Sequence, residues 1–171
     1  MTHRIIGVTG WKNSGKTTMT ERLVAAFVAR GLRVSTVKHA HHAFDIDKEG
    51  TDSFRHRAAG AGEVAIVSGH RWALTHELRN EAEPKLEDIL ARLSPCDLVI
   101  VEGYKREAHP KIELRRTGAK DSRPLSPEDS SIVAVASDHS IADETLPVFD
   151  INDIAGIVDF IAGRLGLAEK S

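Results

Sequence analysis

The residues with the most chemical content are Gly10-Trp11-Lys12-Asn13-Ser14-Gly15-Lys16-Thr17, which fit G-x-x-x-x-G-K-[ST] at every required position. Two glycines at this spacing let the backbone curl until successive N–H groups converge on a point where phosphate oxygens can accept them. The positive end of a following helix would add to that field. Lys16 supplies a point charge for β- and γ-phosphates, and the Thr17 hydroxyl is of the right type to ligate Mg²⁺. Gly10 through Thr18 are therefore the candidate phosphate-holding segment of a nucleoside triphosphate site.

Such a site needs an acid near its magnesium. Asp97-Leu98-Val99-Ile100-Val101-Glu102-Gly103 offers one at each end of a buried-strand pattern. Ligands of parallel sheets gather beyond the carboxyl ends of the strands, which selects Glu102 and places Asp97 away from the nucleotide. Tyr104 and Lys105 leave the strand on the same edge, as do Lys38 and His39 at the end of an earlier strand. Asp45, Asp47 and Asp52 fall where a segment sensing γ-phosphate and Mg²⁺ would lie. His39, His41 and His42 lack the cysteines or regular spacing of a zinc site and read as loop histidines. The usual guanine-reading pattern of Asn or Thr, Lys, any residue, Asp is absent. Asp138, after a predicted strand, is the candidate acceptor for guanine N1 and N2. These residues alone leave the base open between ATP and GTP. Trp72 reads as hairpin packing.

The elements that must position these groups alternate along the chain. Arg4–Thr9 reads as a strand, Lys16 to about Arg30 as a helix closed by Gly31, and Leu32–Lys38 as a second strand, together a βαβ unit with parallel strands. Ala40–Gly50 is a predicted loop and Asp52–Ala59 a short helix. Glu63–Val67 and Arg71–Leu74 predict a hairpin, Pro84–Leu93 a helix, and Asp97–Val101 a strand buried on both faces. Further strands are expected at Ile112–Leu114, Ile132–Ala136 and Leu146–Phe149. The Gly-, Ser-, Pro- and charge-rich stretch Thr117–Ser131 is the expected mobile segment. A last helix should start near Asn152 or Asp153, with Ile154, Val158, Ile161 and Leu165 on one stripe. The reading is one α/β domain over residues 1–171, three-layered, with a P-loop nucleoside triphosphatase fold and a hairpin insertion expected near 63–75.

Composition sets outer bounds. The 171 residues carry 23 Lys+Arg against 25 Asp+Glu, a net charge of −2, which removes the electrostatic case for a nucleic-acid or polybasic membrane binder. One cysteine, Cys96, excludes an intramolecular disulfide and a multi-cysteine zinc site. Neither a signal peptide nor a membrane-spanning run is visible, so the expected location is cytoplasmic.

Beyond a generic phosphate loop, the sequence resembles the molybdopterin-guanine dinucleotide biosynthesis protein B (MobB) family. The resemblance is carried by Gly10–Thr18, Val37-Lys38-His39-Ala40-His41-His42, Asp45-Ile46-Asp47-Lys48 with Gly50, and Asp52-Ser53. It continues through Arg57 with Ala59-Gly60-Ala61, Arg71-Trp72-Ala73-Leu74, the Val-Glu-Gly-Tyr-Lys of Leu98–Lys105, and Lys111-Ile112. Val133–Asp138 and Asp150-Ile151-Asn152-Asp153 complete it. The resemblance implies a GTP-binding homodimer with weak Mg²⁺-dependent GTPase activity. Such a protein assists attachment of GMP to molybdopterin alongside a MobA-type nucleotidyltransferase, with molybdopterin itself a candidate ligand. It also implies a fold similar to GTPases of the signal-recognition and MinD-like class with an added β-hairpin, in which Trp72 suits a dimer contact. The extra lysine of the MinD-like loop has no counterpart, since Trp11 stands at its position.

Mechanistically, Lys16 is expected to neutralise developing γ-phosphate charge while Thr17 and Glu102 organise Mg²⁺ and its waters. No activating glutamine or arginine finger is visible, and their lack can cost factors of ~10³ or more in turnover. Two other classes fit the same residues: a small-molecule kinase whose Ala40–Gly50 loop and Lys105 hold an acceptor hydroxyl, and a binding module in which GTP only sets a conformation.

Overall fold

The computed structural model describes residues 3–40 and 44–169. Its centre is strand β1 (Ile5–Gly10), which runs straight into the glycine-rich turn and then helix α1 (Lys16–Ala29). Strand β2 (Val34–Lys38) begins two residues later than expected, because Leu32 closes the helix instead of starting the strand. Gly31, at φ +76°, donates its N–H to Val28 O and Leu32 donates to Phe27 O, the paired bonds of a Schellman end with Leu32 buried behind them.

Strands β5 (Leu98–Glu102), β6 (Lys111–Arg115), β7 (Ile132–Ser137) and β8 (Val148–Asp150) complete a six-stranded sheet, numbered here after the hairpin strands β3 (Glu63–Val67) and β4 (Trp72–His76). The order is β2-β5-β1-β6-β7-β8, and every neighbouring pair is parallel. The unbroken apolar run of β5 has the expected cause. Leu98 and Ile100 join a core with Ile6, Val8, Leu23 and Phe27, whereas Val99 and Val101 join Val37 and Leu86 on the other face. Helix α1 and the last helix, α4 (Ile154–Leu165), pack against the first core. Helix α3 (Leu86–Leu90) packs against the second, giving the three layers. It is shorter than the predicted Pro84–Leu93, since Arg92 and Leu93 donate to carbonyls three residues back and the last turn tightens before Pro95.

Helix α4 starts after Asp153, whose side chain accepts the Gly156 N–H; its buried residues are Ile157, Val158 and Ile161, with the expected Ile154 and Leu165 half-buried beside them. No helix among the described residues is long and apolar enough to cross a membrane.

The chain divides into two compact units, one running to His39 and from Leu86 onward, the other Ala40–Lys85. The second holds helix α2 (Asp52–Ala58) and the antiparallel hairpin β3-β4. Trp72 does not serve as hairpin packing: it pairs in register with Val67, and the two are 71% and 75% exposed.

Candidate functional site

In the first unit the sheet's carboxyl edge collects the chemistry. Gly10, at φ +145°, has no room for a side chain: a Cβ there would lie 2.5 Å from Ser14 Oγ and 2.7 Å from Leu114 O. Asn13 and Gly15 also take left-handed backbone, at φ +67° and +87°, and together they wrap the turn around an open centre. Ser14 is fully buried, yet its hydroxyl has no hydrogen-bond partner among the described residues. Lys16 Nζ folds back onto the carbonyls of Gly10 (3.1 Å) and Trp11 (2.7 Å). Burial, then the Lys105 ammonium, hold the Lys16 pKa below the ordinary lysine value; Glu102 pulls the other way and Lys38 adds to the lowering.

Glu102 ends β5, in register with Val8 of β1 and Lys38 of β2. The Thr17 hydroxyl donates to its Oε1 at 3.1 Å, and Lys38 Nζ lies 3.3 Å from the same oxygen. A hydroxyl and a carboxylate held this close are hard oxygen donors, which suits a Mg²⁺ that keeps several waters and takes its remaining oxygens from phosphate. Asp97, at the opposite end of β5, accepts the Arg33 N–H at 2.8 Å. Among the described residues no group of three or more His, Cys, Asp or Glu is disposed to hold a metal. His41 and His42 lie outside the described residues.

The stretch Thr117–Ser131, expected to be the mobile segment, is hydrogen-bonded along its length. The Trp11 indole N–H donates to Arg123 O (2.7 Å), and Lys120 N–H donates to Lys12 O (3.0 Å). Leu125 and Ser126 N–H groups donate to the buried Glu113 carboxylate, and Asp129 pairs with the buried Lys111. Trp11 and Lys12 thus hold this stretch to the turn through their own polar groups.

Asp138 follows β7. Its Oδ1 accepts from Thr117 N (2.8 Å), Thr117 Oγ1 (3.2 Å) and His139 Nδ1 (2.9 Å), and these bonds, that of His139 first, hold its pKa below the usual carboxylate range. Only Oδ2 remains, 3.7 Å from Arg116 Nε. A cleft of about 150 Å³ opens here, lined by Gly15, Thr18, Arg22, Arg116, Asp138 and Asn152. It adjoins the glycine-rich turn and lies at the ends of β6, β7 and β8. Arg116 was not singled out by the sequence; the signal available was its place directly after a strand on the functional edge. A larger cavity, about 530 Å³, lies at the other edge between His3, Ile5 and α3 and has few polar groups.

In the second unit, Arg57 takes up two of the acids expected to sense phosphate. Its guanidinium lies 2.8 Å from Asp45 and 2.8 Å from Asp47, and 3.3 Å from Glu77. Asp52 sits in the first turn of α2, where an acidic side chain complements the helix dipole.

Residues 5–138 match the family model described as Molybdopterin guanine dinucleotide synthesis protein B, MobB. The chain belongs to the MobB family. Among MobB relatives, the molybdopterin-guanine dinucleotide biosynthesis adapter protein of Escherichia coli K12 is 39% identical over 159 residues, covering 92% of this chain and 90% of that protein. The adapter protein of the same name from Haemophilus influenzae is 42% identical over 165 residues, covering 94% and 89%. The crystal structure of Bacillus subtilis MobB superimposes with a TM-score of 0.74 at 27% identity, covering 95% of this chain and 98% of that one. The match to the MobB model takes in the glycine-rich turn, Glu102 and Asp138, and the hairpin unit lies inside it.

Proposed function

We propose that this MobB-family chain is an adapter in the formation of molybdopterin-guanine dinucleotide, the role that its relatives' names give them. In this reading it binds GTP with Mg²⁺, hydrolyses it slowly, and assists a MobA-type nucleotidyltransferase that attaches GMP to molybdopterin. It does so in the cytoplasm as a homodimer. The observation that carries the nucleotide part is the junction of β1, α1 and β5. There an open left-handed turn with a buried, unpartnered Ser14 hydroxyl lies beside a Thr17–Glu102 pair.

In the bound state, the N–H groups of Asn13 to Thr18 and Lys16 would hold the phosphates. Lys16 would leave the Gly10 and Trp11 carbonyls for the phosphate oxygens. Thr17 and Glu102 would hold Mg²⁺, which would supply charge stabilisation for the phosphates. Asp138 Oδ2 would accept from the guanine edge in the cleft beside Gly15. A single carboxylate oxygen accepts from guanine's N1–H or N2–H, whereas adenine sets an N1 acceptor against it, which favours guanine over adenine.

The test is reconstitution of GMP transfer to molybdopterin by the pathway's nucleotidyltransferase, with this chain absent, present, or present as Lys16→Ala. Stimulation by the wild type and not by Lys16→Ala is the expected result. Equal yield in all three reactions would overturn the adapter role, and equal stimulation by both proteins would remove the nucleotide from it.

A further inference from the structure

After Glu102 the backbone makes a turn that ordinary residues avoid. Gly103 has φ +94°, and a Cβ there would come within 2.9 Å of the His39 Cβ. Tyr104, which has a bulky side chain, also takes left-handed backbone at φ +48°. Strain of this kind persists only where the surroundings impose it, and it concentrates at functional sites. Here the imposing contact is the His39 ring, whose centroid lies 4.8 Å from that of Tyr104.

The consequence of the two left-handed residues is the course of Lys105. The chain is sent back over the glycine-rich turn, and Lys105 Nζ rests 4.6 Å from the centre of the Trp11 ring. Lys105 is otherwise exposed, and among the described residues no carboxylate pairs with it. Its ammonium is also near enough to Lys16 to be the main charge lowering that pKa. An exposed cation over an aromatic face is held weakly, whereas a phosphate oxygen offers a charge-assisted hydrogen bond. Lys105 follows Glu102 by three residues, on the edge of the sheet where the glycine-rich turn opens.

We propose that Lys105 is the residue by which this site distinguishes a nucleoside triphosphate from a diphosphate. It leaves the face of Trp11 to bind the terminal phosphate, and so supplies a cation for that phosphate from within the chain. The inference rests on the nucleotide-binding reading above.

Trp11 and Trp72 are the two tryptophans of the chain, so Trp72→Phe makes Trp11 the sole emitter. In that background, GTP and GDP are titrated with Mg²⁺ by calorimetry and by tryptophan emission, with Lys105 intact, Lys105→Met and Lys105→Arg. With Lys105 intact, GTP should change Trp11 emission and GDP should leave it nearly unchanged. Lys105→Met should weaken GTP by roughly 10- to 100-fold, leave GDP within about twofold, and abolish the GTP-specific emission change. Lys105→Arg should restore part of the GTP preference. Equal losses for GTP and GDP, or no loss for either, would overturn the proposal while leaving nucleotide binding standing. Binding of neither nucleotide to the protein with Lys105 intact would overturn the site reading, and the proposal with it.

Discussion

His109 should make the fold weaken between neutral and mildly acidic pH. Its ring lies against the backbone of β1, so closely that a Cβ on Gly7 would be 2.6 Å from its Nε2. The residue is 9% exposed, and neither ring nitrogen has a hydrogen-bond partner among the described residues. Burial, reinforced by the nearby Lys111 ammonium and opposed by Asp129, pushes its pKa down to about 4 from the ordinary 6.5. Above pH 6.5 both folded and unfolded chains hold the imidazole neutral and the folded state loses nothing. As the pH falls below 6.5 the unfolded chain takes up a proton that the folded chain refuses until about pH 4, so stability drops across that window. The gap from 6.5 to about 4, at 1.36 kcal/mol per unit, amounts to ~3 kcal/mol, of which about 2 kcal/mol is gone by pH 5. That is a large share of the 5–15 kcal/mol typical of a whole domain. Urea unfolding of the wild type and of His109→Phe at pH 7.5 and 5.0 isolates the effect, since other titrating groups contribute to both proteins. His109→Leu serves as a second non-titrating variant. The wild type should lose ~2 kcal/mol more than either variant on acidification. Identical losses would refute the reasoning and mean that the folded ring accepts a proton or a solvent bond.

Other consequences are equally open to measurement. Glu102→Gln keeps the shape of the side chain but removes the charge shared by Thr17 and Lys38; the Mg²⁺ needed to saturate nucleotide binding should rise by roughly 10-fold or more, as read by titration at fixed GTP. Arg115 is the cation between the buried Glu113 and Glu144, at 2.8 and 2.6 Å. Arg115→Met should therefore cost about 3–5 kcal/mol in chemical unfolding, and a cost below about 1 kcal/mol would show that the two acids find other partners. His76 has its pKa raised, first by its bond to Glu63 and then by that to Glu81. Its contribution to the hairpin is complete below pH 6.5 and is lost as the pH rises through the raised value. Hydrogen-exchange protection of β3-β4 should fall over that range in the wild type and stay flat in His76→Gln.

The glycine-rich turn was legible because its constraints are local: two glycines, a lysine and a hydroxyl at fixed spacing dictate the geometry without tertiary help. Glu102 was legible through one further step, the rule that parallel strands present ligands at their carboxyl ends, combined with the fully apolar run before it. The β6 interior was not. Lys111, Glu113 and Arg115 alternate with Ile112 and Leu114, a pattern that ordinarily puts the charged face in water. Here that face is covered by Thr117–Ser131: the Leu125 and Ser126 N–H groups both donate to Glu113, the Asp129 carboxylate pairs with Lys111, and Arg115 donates to the Ser126 hydroxyl. The complement was present in the sequence as an excess of Ser and Asp after the strand, but Gly, Ser and Pro content reads as mobility when the partners are unknown. Trp72 failed for the opposite reason, since an aromatic residue in a two-stranded hairpin suggests packing and the unit offers it little.

The central claim is that the turn between β1 and α1 holds a guanine nucleotide with Mg²⁺. Titration of the purified chain with GTP and with ATP, each with and without Mg²⁺ and in parallel with Lys16→Ala, tests it most directly. Preference for GTP, strengthened by Mg²⁺ and lost in Lys16→Ala, is the predicted result. Preference for ATP, or binding that survives Lys16→Ala unchanged, would contradict it.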